Sequence, residues 1–157
     1  MGYGKSGQNA RGILTRLYSR AFIMAEPTGP NRRIVFVSVD IGMISQRLRL
    51  EVLNRLQSKY GSLYRRDNVI LSGTHTHSGP AGYFQYTIFV IASEGFSNRT
   101  FEYMVTGIVK QNQPPWGLLT NTLKLLTIPS SNALSPPSPV LRLLFVHRDL
   151  VYVVLPP

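Results

Sequence analysis

Two apolar runs with one helical period between them decide most of what this chain can become. Ile34-Val35-Phe36-Val37-Ser38-Val39 is branched and almost continuously apolar, as a strand covered on both faces requires. Ser45 then has the chemistry of a helix N-cap. Leu53, Leu56 and Tyr60 recur at helical spacing, which predicts a helix over 46–60 with Gly61 as its stop. After a polar turn at Arg65 to Asn68, Val69-Ile70-Leu71 reads as a second buried strand. Strand, helix and strand in this order predict a parallel crossover, and with it an α/β architecture.

Upstream, Leu17 to Ala25 reads as a further strand. A turn containing Pro27, Gly29, Pro30 and Asn31 would join it to the first apolar run as a hairpin. Gly82 to Ile91 is rich in aromatic residues (Tyr83, Phe84, Tyr86, Phe89). It is expected as a strand or a loop, its rings serving core packing or covering an apolar pocket. Phe101, Met104, Val105 and Ile108 have helical spacing and predict a second helix from Asn98 to Lys110. Beyond it the character changes: residues 111–157 hold eight of the eleven prolines and a single acidic residue, Asp149. The chain therefore divides into 1–110, an α/β unit, and 111–157, a proline-rich tail expected to be irregular or disordered.

Charge bears on the partners. Seventeen Lys and Arg against seven Asp and Glu give a formal net charge of +10. Such an excess suits nucleic acid or an anionic lipid surface. Twelve of the basic residues precede Val69, yet they form no arginine-rich run and no nucleic-acid motif. Arg47, Arg49, Glu51, Arg55 and Lys59 are expected to form a solvated helix face. No cysteine is present, which excludes disulfides and thiolate metal sites. Gly4-Lys5-Ser6 superficially resembles the end of a phosphate-binding loop, but the earlier glycine and the preceding strand are missing. Met1 opens no secretory leader, and no apolar run reaches the roughly 20 residues that span a bilayer. A chain starting at Met1 is thus expected in the cytoplasm. Asn98-Arg99-Thr100 fits the N-glycosylation acceptor pattern.

Two of the three histidines, His75 and His77, follow the second buried strand in Ser72-Gly73-Thr74-His75-Thr76-His77-Ser78-Gly79-Pro80. In extended backbone, residues two apart face the same side, so both imidazoles would meet one pocket. Neutral imidazole is the commonest metal ligand, but catalytic zinc takes three protein ligands and a water. The x-Asp-His continuation of metallo-β-lactamase-like enzymes is replaced by Ser78-Gly79. Position 79 also lacks the third His of a histidine-triad hydrolase. Two ordinary strand-end histidines remain an alternative. Asp40 closes the first apolar run at the same sheet edge, or else caps the turn into the helix. His147, the remaining histidine, lies in the tail.

Several ordered blocks together resemble the neutral ceramidases. They are Met1-Gly2-Tyr3-Gly4, Gln8-Asn9, Gly12-Ile13, Arg16 to Phe22, Asp40-Ile41-Gly42-Met43, and Ser72 through Tyr83. The likeness runs from Met1 to about Lys110. It implies a fragment of a larger mixed-sheet zinc amidase catalytic domain, acting on ceramide to release sphingosine and a fatty acid. It further implies His75 as a Zn2+ ligand and His77 as the catalytic neighbour of the substrate amide. The family's remaining zinc ligands (a second His, a Glu and a Tyr) come from positions later than this likeness extends. The expectation is therefore a truncated ceramidase piece that neither holds zinc stably nor turns over substrate alone. The family's plasma-membrane or secreted location would need segments upstream of Met1. The alternative is a basic, non-enzymatic protein that binds anionic lipid or a partner.

Overall fold

The computed structural model describes residues 12, 13, 15–25, 33–111 and 142–150, the last nine as backbone. The glycine-rich start, the hairpin turn, and residues 112–141 and 151–157 lie outside the described residues.

Strand β1 (Leu17–Ala25) pairs antiparallel with β2 (Arg33–Val39), with Ser19 opposite Val39 and Ala25 opposite Arg33. From the end of β2 the chain enters helix α1 (Gln46–Tyr60), makes a 3-10 turn at Gly61–Leu63, and returns as β3 (Val69–Gly73). β3 runs parallel to β2, Val35 opposite Val69 and Val39 opposite Gly73. Helices α2 (Thr87–Ala92) and α3 (Asn98–Gln111) follow. Within the proline-rich segment, for which irregular structure is expected, Arg142–Leu150 forms β4, antiparallel to β1. The mixed sheet has the order β3-β2-β1-β4.

Local chemistry accounts for the crossover. The Ser45 hydroxyl accepts the Leu48 N–H at 3.1 Å, closing one orphan donor of the first turn of α1. Gly61, at φ 60°, ends the helix with its own N–H on the Gln57 carbonyl. Asn68 closes the return turn, its side-chain oxygen on the Arg65 N–H and its amide donating to the Leu63 carbonyl.

One core lies on one side of the sheet. Ala21 and Ile23 of β1, Val35, Val37 and Val39 of β2, and Val69 of β3 meet Leu48, Val52, Leu53 and Leu56 of α1 and Phe101, Met104, Val105 and Ile108 of α3. Full burial of each larger aliphatic side chain contributes about 1.5–3 kcal/mol. The expectation that β2 is covered on both faces is corrected here. Its burial alternates, because α1 and α3 pack on the same face. On the other face Phe22 and Phe36 lie with ring centroids 6.1 Å apart, and Ile34 and Ile70 are 46% and 49% exposed.

The charged side of α1 also differs from a simply solvated face. Arg49 donates to the backbone carbonyls of Val69 and Arg66, tying α1 to the start of β3. Arg55 bridges Glu51 on its own helix and Glu102 on α3, and the two carboxylates raise its pKa. Arg47 lies over the rings of Phe96 and Phe101. Four of the five residues in that charge run are thus engaged within the fold, and the fifth, Lys59, lies over the Tyr60 ring.

Candidate functional site

Because β2 and β3 are adjacent and parallel, both release their chains at the same sheet edge, the usual place for a ligand crevice in α/β folds. Two loops meet there: Asp40 to Met43 after β2, and Thr74 to Gly82 after β3. Backbone bonds join them. The Thr74 N–H reaches the Val39 carbonyl at 2.9 Å, and the His75 N–H reaches the Ile41 carbonyl at 3.1 Å. A side chain at Gly73 would place its Cβ 3.1 Å from the Ile41 carbonyl oxygen and 3.3 Å from the Met43 Cα. Glycine is what lets the loops close this tightly.

Asp40 performs neither role expected of it. Its carboxylate turns toward β1, where it accepts the Tyr18 N–H at 2.9 Å and both terminal nitrogens of Arg20, at 2.9 and 3.2 Å. A bidentate guanidinium and a backbone donor fill the lone pairs a metal would need. The group is a clamp between the β1 start and the β2 end.

His75 is exposed and holds its backbone at φ 61°, in the left-handed region. That conformation costs a non-glycine residue roughly 1–2 kcal/mol. Its Nδ1 lies 3.0 Å from the Gly42 carbonyl oxygen. A carbonyl can only accept, so Nδ1 carries the proton and Nε2 carries the lone pair. This is the arrangement of a metal-ligating histidine whose other nitrogen is held by a backbone carbonyl. The half-buried His77 ring sits edge-on to it, centroids 5.1 Å apart and planes at 83°. The two imidazoles lie against each other, but not through the alternation of an extended backbone, since His75 is in the left-handed region. His147 does not join them: it lies on β4, at the opposite edge of the sheet from β3. Among the described residues no three His, Cys, Asp or Glu side chains come together as a metal-binding group. His75 thus fits a zinc ligand in tautomer and exposure, while the described donors fall short of the three that catalytic zinc takes.

Tyr83 is the site residue that sequence reasoning missed. Its ring is fully buried, 4.2 Å from Phe84 in the core. Its hydroxyl accepts the Met43 N–H at 3.3 Å and donates to the Met43 carbonyl at 3.1 Å. Burial pushes this phenol up to about 12, against the pull of the backbone bonds. The aromatic stretch is neither a strand nor a loop alone: Tyr83 and Phe84 enter the core from irregular chain, then α2 follows. Phe89 of α2 stacks on Phe84 at 4.6 Å, while Ile88 and Ile91 are 73% and 74% exposed. A separate groove of about 480 Å³ lies between α1 and α3, lined by Arg47, Glu51, Gln85 and Glu102 among others, and contains neither histidine. The Asn98 acceptor pattern falls on the first turn of α3, where the Thr100 hydroxyl donates to Ser97 Oγ. No described helix is long and apolar enough to cross a membrane.

Comparison with known proteins supplies the context. The family model described as neutral/alkaline non-lysosomal ceramidase, N-terminal, matches residues 1–114. The neutral ceramidase of Oryza sativa is 50% identical over 108 residues, covering 69% of this chain and 14% of that protein. Neutral ceramidase 3 of Arabidopsis thaliana is 44% identical over 132 residues, covering 80% of this chain and 18% of that protein. Since 80% of 157 residues exceeds 111, the second match reaches into the proline-rich segment. Among solved structures, neutral ceramidase from Pseudomonas aeruginosa superposes with a TM-score of 0.67 at 44% identity, over 70% of this chain and 17% of that one. The chain spans less than a fifth of the length of these relatives.

Proposed function

The chain belongs to the neutral/alkaline non-lysosomal ceramidase family, and from that premise we propose that it carries the opening part of a zinc-dependent site for hydrolysing the amide bond of ceramide. His75 is a zinc ligand in this reading and His77 a proton carrier beside the substrate amide. What supports it is one observation above the others: His75 Nδ1 is held by the Gly42 carbonyl, which leaves Nε2 with its lone pair. Bound zinc would supply the chemistry common to such hydrolases, a lowered pKa for water and charge stabilisation at the carbonyl oxygen. The chain's own residues do the rest. The loop after β2 fixes the His75 tautomer, and the Arg20–Asp40 clamp fixes that loop to β1. His77, its ring edge-on to that of His75, is the imidazole that would pass a proton to the departing amine.

Two imidazoles do not complete a zinc site, so these 157 residues by themselves neither retain zinc nor cleave ceramide in this reading. Zinc titration of the purified chain is expected to show no tight stoichiometric binding. Sub-micromolar binding abolished by His75→Ala would contradict the incompleteness. So would ceramide hydrolysis above that of a His75→Ala His77→Ala double variant.

A second reading rests on the net charge of +10 and the exposed Ile88 and Ile91 of α2: adsorption to anionic lipid. Salt-sensitive binding to vesicles rich in anionic lipid would support it. Equal binding to neutral vesicles, or none to either, would remove it.

A further inference from the structure

The peptide group between Gly42 and Met43 is gripped from both ends. Its carbonyl, Gly42 O, lies 3.0 Å from His75 Nδ1, and its N–H, on Met43, donates to the Tyr83 hydroxyl at 3.3 Å. The same hydroxyl donates onward to the Met43 carbonyl at 3.1 Å. Tyr83, a single peptide plane and His75 thus form one continuous hydrogen-bonded chain. Such chains polarise: a peptide whose N–H is engaged becomes a better acceptor at its C=O. We propose that Tyr83 is a positioning residue for His75, acting through the Gly42–Met43 peptide to hold the imidazole in the Nδ1–H tautomer.

Three features converge on this. The Tyr83 ring is fully buried and its hydroxyl spends both its acceptor and its donor capacity on Met43, so the phenol is fixed in place. His75 sits at φ 61°, a backbone setting that persists only when its surroundings over-determine it. The loop cannot relax toward β3, because Gly73 lies against Ile41, Gly42 and Met43 so closely that even a methyl group would intrude. Rotation of the Gly42–Met43 peptide would break the Nδ1 bond, and the Tyr83 hydroxyl opposes that rotation by holding the Met43 N–H. The purpose of the device, presenting Nε2 to a metal, rests on the zinc-ligand reading of His75. The device itself does not.

The test is imidazole nitrogen NMR on the metal-free 157-residue chain at mildly alkaline pH, with His75 assigned by the signals lost in His75→Gln. The expected result is a dominant Nδ1–H tautomer in the wild type. Tyr83→Phe keeps the ring and is expected to shift the tautomer ratio roughly fivefold toward Nε2–H, the size of one ordinary hydrogen bond's net effect. Phe89→Leu, which loosens the ring packing behind Tyr83 but spares the hydroxyl, is expected to leave the ratio unchanged. A wild-type His75 in the Nε2–H form would overturn the proposal, as would equal shifts, or none, in the two variants. Should Tyr83→Phe fail to fold, 3-fluorotyrosine incorporation alters the hydroxyl without removing it. The His75 Nδ1–H and Met43 amide resonances must then move together, and a stationary His75 overturns the proposal. No zinc and no ceramide enter the measurement, so failure of the amidase reading would leave its outcome intact.

Discussion

His75 and Tyr83 show how this site divides its tasks between an exposed group and a buried one. The imidazole is open to solvent, and its geometry is set by a phenol that solvent does not reach. Burial raises the Tyr83 pKa from the ordinary 10 to about 12. A phenol whose folded pKa lies above its unfolded value stabilises the fold fully below pH 10, and that contribution is lost as pH rises through the folded value. Its size is on the order of 3 kcal/mol. Denaturant titrations at rising pH should therefore show stability falling between pH 10 and 12, and a markedly shallower fall in Tyr83→Phe. An identical slope in the two proteins would assign the alkaline loss to other groups, of which Tyr64, also raised by burial, is one.

At the scale of elements, α1 is the part that local chemistry specifies most completely. The Ser45 cap, the apolar stripe and the Gly61 stop all agree, and the helix spans Gln46–Tyr60 as its spacing predicts. Ser45→Ala is expected to cost about 1 kcal/mol, read as a lower melting temperature with the fold retained. No change would mean that tertiary packing alone holds that end. The hairpin, the parallel crossover and α3 were legible for the same reason, since each rests on a periodicity visible over a few residues. The two-sided covering of β2 was not legible. An apolar run reports what a strand can tolerate, while the face that is covered depends on where α1 and α3 land. Asp40 was misread, and the bonds of the Tyr83 hydroxyl were missed, for a related cause. Their partners, Arg20 and Met43, lie 20 and 40 residues away, and no local pattern joins such distances. The nearness of His75 to His77 was expected from extended backbone, whereas the rings meet with His75 in the left-handed region, a conformation no local pattern announced. The carbonyl that fixes the His75 tautomer comes from another loop and left no mark in the sequence around it.

For the whole molecule, the one-sided core has a physical consequence. β3 stands at the end of the described sheet order, and Ile34 and Ile70 are half exposed on the face away from the helices. Apolar strands presented this way template association. Purified chain is expected to show a concentration-dependent rise in mass by light scattering, reduced by an Ile70→Lys substitution. A monomer at all concentrations would contradict this expectation. The same one-sidedness agrees with a chain spanning less than a fifth of its relatives. The proposed role of His75, a zinc ligand in a site these residues begin and others complete, can be measured in a completed protein. Residues 1–110 of this chain, in place of the matched segment of the Pseudomonas aeruginosa neutral ceramidase, would form a chimaera across 44% identity. This chimaera is expected to retain zinc and hydrolyse ceramide, and His75→Ala to remove the metal and lower the rate by about 100-fold or more. A His75→Ala chimaera that keeps both its zinc and its activity would contradict it.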